Sequence, residues 1–182
     1  MSSPDARLYR LDGAQGVRER VWLVHSAGVA RLEFSDVAGR LIGSPGDAVA
    51  VLDRTLDVAA IALGAEQLGG AQRVLDMAVE YSKVRHQFGR PIGSFQALKH
   101  RMADLLLEVE SLRSAVIYAA AAVADGSAEV PVLASLVKAY ASETYFHVAA
   151  ENIQIHGGIG FTWEHDAHPV LQAGEVKRAL PR

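Results

Sequence analysis

From Ala48 to Lys83 apolar residues recur at helical spacing: Val51, Leu52, Leu56, Val58, Ile61, Leu68, Val74, Leu75 and Ala78. One continuous helix over that span is about 54 Å long at about 1.5 Å per residue. Its apolar face must be buried against other helices, because most helical stability in a protein comes from packing such a face. Ser44 reads as its N-cap, with Pro45 and Asp47 suited to the first turn. Gly64, Gly69 and Gly70 interrupt the helical pattern, each costing about 1 kcal/mol relative to Ala. Close packing against a neighbouring helix accounts for them.

The same period predicts a second helix from Phe95 to about Ala124, carrying Leu98, Met102, Leu105, Leu106, Val109, Leu112 and Val116 and stopping at Asp125-Gly126. A third begins just after Pro131 and reaches about His156, where Gly157-Gly158 ends it. Glu164 to Ala179 can hold only a short helix, broken by Pro169. Three long antiparallel helices and a shorter piece make a bundle, so the fold class is mainly α. Residues 1–43 differ in character. Val21–Val24 and Ala30–Phe34 read as short strands around a turn at Ser26–Gly28, and Asp36–Gly43 reads as a loop. The expected division is a β segment over 1–43 and a helical bundle over 44–182.

Composition narrows the function classes. The 182 residues are 50% hydrophobic and 21% charged, with a net charge of −3 and no cysteine. That excludes a disulfide framework or a thiolate nucleophile. It also gives no polybasic face for nucleic acid. Apolar windows such as Ala115–Ala124 are too short to span a bilayer. The amino terminus lacks a signal-peptide plan, so a cytoplasmic location is expected. His165 and His168 with Glu164 could suggest a metal, but a third ligand at convincing spacing is missing and Pro169 spoils the helix.

Two stretches carry chemistry that a plain bundle does not require. In the first, Arg85, Gln87 and Phe88-Gly89 follow a helix end, with Lys83, Arg90, Lys99 and Arg101 nearby. A guanidinium fork, an amide and a flat apolar ring suit a nucleotide bearing a pyrophosphate. A helix hairpin with exposed polar residues would have the same composition. In the second, Gln154 precedes Gly157, Gly158 and Gly160, where a backbone could approach a ligand closely.

The order Arg85-x-x-Phe88-Gly89, then Gln96, then Gln154-x-x-Gly157-Gly158-x-Gly160 resembles the carboxy-terminal helical domain of acyl-CoA dehydrogenases. The resemblance covers roughly residues 17 to 170, so residues 1–43 would be a remnant of that family's middle β-domain. It implies an FAD-dependent oxidoreductase acting on an acyl-CoA thioester, giving the 2,3-enoyl-CoA. It further implies that Arg85, Gln87, Phe88, Gln96, Gln154, Gly157 and Gly158 contact FAD across a subunit interface, with a homo- or hetero-oligomer and an electron-transfer acceptor as partners. The stretch Phe161 to His168 resembles an actinobacterial subgroup acting on steroid or other bulky CoA esters, often as heteromers of a catalytic and a degenerate chain. The family's catalytic Glu has no counterpart: no Glu-Gly-Thr-like segment follows the glycines, and Ala59 and Ala60 stand at its alternative place. The catalytic residue is therefore unassigned, with Asp57 and Glu66 the nearby acids. A non-catalytic helical subunit used for assembly is the other reading.

Overall fold

The structure, a computed structural model, describes residues 6–11, 17–24, 27–162 and 167. The chain divides into two compact units, Met1–Leu56 and Asp57–Arg182.

The first unit holds two antiparallel strand pairs. Strand β1 (Leu8–Leu11) pairs with β4 (Gly39–Ile42), setting Leu8 opposite Ile42 and Leu11 opposite Gly39. Strand β2 (Val17–Val24) pairs with β3 (Ala27–Phe34), setting Val17 opposite Phe34. Both predicted strands exist and are longer than the apolar runs that revealed them. Gly28 lies within β3, opposite Leu23, instead of in the turn, while Ser26 is outside the described residues. The predicted loop Asp36–Gly43 contains β4. Four residues with a leading glycine carry too little period-2 signal to be read as a strand. Tyr9, Phe34, Leu41 and Ile42 are exposed. Two-stranded sheets are marginal in water, so these side chains mark surface that wants cover.

The entry to the first helix corrects a capping assignment. Asp47, not Ser44, is the N-cap: the Val51 N–H donates to the Asp47 carbonyl at 3.3 Å, and the helix proper starts at Ala48. The Asp47 carboxylate reaches back to accept from the Ser44 N–H at 2.9 Å. Its charge still sits where the helix dipole favours it.

Helix α1 (Ala48–Val84), α2 (Gln96–Ala124) and α3 (Val130–His156) match the predicted spans to within a residue or two. In the second unit they run up, down and up. Gly64 faces Val137, Gly70 faces Tyr145 and Tyr81 faces His156, so α1 and α3 are parallel. The Tyr140 hydroxyl donates to the Glu108 carbonyl and Arg101 pairs with Glu151, so α2 is antiparallel to α3. Glycine at 64 and 70 permits the α1–α3 approach, since a Cβ at Gly70 would lie 2.8 Å from the Tyr145 ring. Gly69 is different: nothing lies within 4 Å of its Cβ position.

The core is Ile61, Val74 and Leu75 of α1, Leu105, Val109, Leu112 and Val116 of α2, and Val130, Val137, Tyr145 and Val148 of α3. Val51, Leu52, Leu56 and Val58 share the helical period yet are exposed, so periodicity alone overstated the buried length of α1. Gln67, Thr144 and Asn152 are buried in this interior with polar side-chain atoms that lack a hydrogen-bond partner among the described residues. Helix α2 ends in a Schellman arrangement. Gly126 takes φ +67°, its N–H donates to Val123 O, and the Ser127 N–H donates to Ala122 O. The short helix expected over Glu164–Ala179 lies outside the described residues, apart from Ala167, which is helical and buried.

Candidate functional site

Arg85 is the first residue past α1, and its N–H donates to the Tyr81 carbonyl at 3.0 Å. A two-residue hairpin follows: β5 (His86–Gln87) pairs with β6 (Arg90–Pro91), setting Gln87 opposite Arg90. Phe88 (φ +54°) and Gly89 (φ +77°) form its tip, the positive-φ pair that a tight hairpin turn requires. A phenylalanine there is uncommon, because its Cβ crowds the backbone in the left-handed region. The ring is nonetheless held out, 90% exposed. Its contact within the protein is edge-on to Phe95, with centroids 6.1 Å apart, and Arg90 covers the Phe95 ring with its guanidinium carbon 4.1 Å from the centroid. The Ile92 N–H donates to the Arg85 carbonyl at 2.8 Å and closes the loop. Gly93 is obligatory on steric grounds, since a Cβ there would sit 2.9 Å from the Ser82 carbonyl oxygen.

Gln96 opens α2 and lies exposed, its amide nitrogen 3.2 Å from His100 Nε2. Gln154 is exposed on the last turn of α3. Gly157 caps that helix at φ +66° and ψ −144°, its N–H directed at the Ile153 and Gln154 carbonyls. That N–H is therefore engaged within the chain, and the residue's remaining contribution is open space, since nothing lies within 4 Å of a Cβ at Gly157 or Gly158. Gly160 is the opposite case. It is buried, and a Cβ would meet His156 Cβ at 2.9 Å and the Ile153 carbonyl oxygen at 3.1 Å.

Two contacts bring these distant stretches to one end of the bundle. Tyr81 stacks on His156 with centroids 4.2 Å apart and planes at 26°. Beneath them Ala78, Ile92 and Ile155 form a small apolar cluster, joined by Phe95, Leu98 and Met102. The hairpin and the glycine turn thus share one floor. No sequence motif marks Tyr81 or His156 as partners. The available signal was the place of Tyr81 one turn before Arg85.

Charge is unevenly committed here. Lys83 pairs with Glu80 at 2.6 Å and Arg101 with Glu151 at 3.1 Å, whereas Arg85 makes no ion pair with the described residues. Of the acids considered for proton transfer, Asp57 is buried and Glu66 is exposed, while Ala60 is buried and Ala59 exposed. Among the described residues no group of three or more His, Asp or Glu side chains could hold a metal ion, and Glu164, His165 and His168 lie outside them. No helix among the described residues is long and apolar enough to cross a membrane.

A three-helix unit with an arginine hairpin and a glycine turn at one end defines a known class. Residues 47–178 match the family "Acyl-CoA dehydrogenase, C-terminal domain". The chain belongs to the acyl-CoA dehydrogenase family. It is 55% identical over 113 residues to acyl-CoA dehydrogenase IpdE2 of Mycobacterium tuberculosis, covering 62% of this chain and 33% of that protein. Butyryl-CoA dehydrogenase from Megasphaera elsdenii superposes with a TM-score of 0.87 at 30% identity, covering 92% of this chain and 45% of that one. A chain of the ChsE4-ChsE5 complex from Mycobacterium tuberculosis superposes with a TM-score of 0.75 at 31% identity, covering 90% and 44%. The chain therefore spans about a third of the length of its curated relative and under half of these solved chains.

Proposed function

We propose that this chain forms one wall of an FAD site in an oligomeric acyl-CoA dehydrogenase, an oxidoreductase that converts an acyl-CoA thioester to its 2,3-enoyl form. The observation that carries the reading is an uncommitted donor set at one end of the bundle. The Arg85 guanidinium and the Gln87 and Gln154 amides are all exposed over a shared apolar floor, beside two glycines with open space above them. A planar guanidinium and amide donors match the oxygens of a pyrophosphate. The exposed Phe88 ring offers a stacking or edge surface to the adenosine or the cofactor's sugar chain. The donor set thus fits the dinucleotide half of FAD, and Gln96 borders it at the start of α2.

FAD, when bound, supplies the hydride acceptor. This chain's residues bind and orient it: Arg85 neutralises phosphate charge, Gln87 and Gln154 fix its direction, and Gly157 and Gly158 allow close approach. The site is open to solvent on the face these residues present, so a second subunit is required to enclose the cofactor and exclude water. That subunit is a copy of this chain's own protein or a related one, as in the heteromeric ChsE4-ChsE5 complex. An electron-transfer partner reoxidises the assembly. Ala59 and Ala60 cannot accept a proton, so neither removes the α-proton, and Asp57 and Glu66 are the acids of α1 beside that place.

A non-catalytic assembly role is the second reading. It is favoured by the exposed apolar side chains of α2 and α3, including Leu106, Leu107, Ile117 and Val132. Flavin absorbance of the assembled complex separates the two. Removal of one charge-assisted contact costs about 1.5–3 kcal/mol, so Arg85→Ala weakens FAD retention by about ten- to a hundred-fold. Stoichiometric FAD in both the Arg85→Ala and Gln154→Ala complexes overturns the cofactor reading and leaves assembly.

A further inference from the structure

Resting on the cofactor reading above, we propose that Tyr81 is a positioning residue: it holds the Arg85 hairpin and the Gly157-Gly158 turn in one register, so that two loops far apart in the chain meet one cofactor. Tyr81 touches both loops by different parts of itself. Its carbonyl accepts the Arg85 N–H at 3.0 Å, which ends α1 and fixes where the Arg85 side chain departs. Its ring lies on His156, the last residue of α3, at 4.2 Å and 26°. Its hydroxyl is 3.5 Å from the His156 carbonyl oxygen, too long to be more than a weak contact, so the stack is the principal link.

His156 is in turn held by its own contacts. It is buried, and Nδ1 is 2.9 Å from the Asn152 carbonyl oxygen, which can only accept, so that nitrogen carries the proton. On its other flank Gly160 packs so tightly that no Cβ could be accommodated. The ring is therefore held by its Nδ1 bond and by the Tyr81 stack, and it transmits the position of Tyr81 to the turn that follows. The floor of Ala78, Ile92 and Ile155 supports both loops, and Ile92 also closes the hairpin by donating its N–H to the Arg85 carbonyl, but none of the three stacks on the last residue of α3. Tyr81 does.

The test uses the assembled FAD-binding complex, stripped of cofactor and titrated with FAD by flavin fluorescence. Tyr81→Phe keeps the ring and removes only the long hydroxyl contact, so FAD affinity stays within about two-fold of wild type, as expected when the stack carries the link. Tyr81→Leu removes the stack and lowers affinity by about two- to ten-fold, the range of a single aromatic pair. That loss shrinks in an Arg85→Ala background, because a misplaced arginine cannot be lost twice. A residue important only for stability would lower the urea midpoint and leave that coupling at zero. Where Tyr81→Leu fails to assemble, His156→Asn carries the same test, since it keeps a donor toward Asn152 and removes the ring. Affinity that responds to Arg85→Ala and Gln154→Ala but not to loss of the stack overturns the positioning role alone. Affinity indifferent to Arg85→Ala and Gln154→Ala overturns the cofactor reading beneath it.

Discussion

Alanine substitutions at Gly64 and Gly69 form a controlled pair, because both glycines lie in the interior of α1 and share the same propensity gain. Gly→Ala in a helix interior is worth about 1 kcal/mol. At Gly69 nothing lies within 4 Å of the new methyl group, so the full gain is realised. In a protein of this size that raises Tm by about 2–4 °C. At Gly64 the added Cβ falls on Val137 Cγ1. Val137 is fully buried and β-branched, so its χ1 cannot turn aside within a helix. Overpacking of this kind costs about 1–3 kcal/mol, which cancels the propensity gain or exceeds it. The expected outcome is that Gly69→Ala is stabilised while Gly64→Ala is neutral or destabilised, the two differing by about 1–3 kcal/mol. Urea unfolding followed by far-UV circular dichroism measures both midpoints. Equal shifts in the same direction would refute the close α1–α3 seam.

Three further outcomes follow from the interior. Gln67 is buried with both amide atoms unpartnered, a burden of about 1–3 kcal/mol, so Gln67→Met raises the urea midpoint. A lower midpoint would mean that the amide has a partner in solution. The Tyr145 phenol is pushed above its ordinary value of 10.0, by burial first and by the charge of Glu66 second. Because the folded value is the higher one, the stability it contributes is complete below about pH 10 and is lost as pH rises through the folded pKa. Wild type therefore loses stability more steeply than Tyr145→Phe in alkaline titrations, and parallel curves would contradict this. Finally, Gly160→Ala forces the turn away from His156 and Ile153, since the obstructing atoms are a Cβ and backbone; thermal melts show a loss of about 1–3 kcal/mol.

The helices were legible because period and punctuation agreed. Asp125-Gly126 and Gly157 stop α2 and α3 where left-handed backbone is needed, and each is read from residue type alone. The short elements were not. β4 is four residues inside a stretch that glycines mark as a loop, and it exists through pairing with β1, a contact no local pattern encodes. Ser44 and Asp47 are both good caps, and only the backbone path decides between them. At the site the arginine hairpin and the glycine turn could be read as motifs, as could the tight turn at Phe88-Gly89. Their meeting could not. It depends on Tyr81 and His156, separated by 75 positions, whose stack is a tertiary fact.

The parallel course of α1 and α3 has a consequence for how such a chain can change over time. Both helices are clamped along their length, at Gly64–Val137 and Gly70–Tyr145, and both then deliver a loop to the same end. Each is a ruler measured from the same mark. One residue inserted into α3 beyond Tyr145 would carry Gln154 forward by about 1.5 Å and around the axis by about 100°, off the face it shares with Arg85. The same insertion in the Asp125–Glu129 connection would move nothing at that end. To keep this end, the count of residues between seam and loop has to stay fixed.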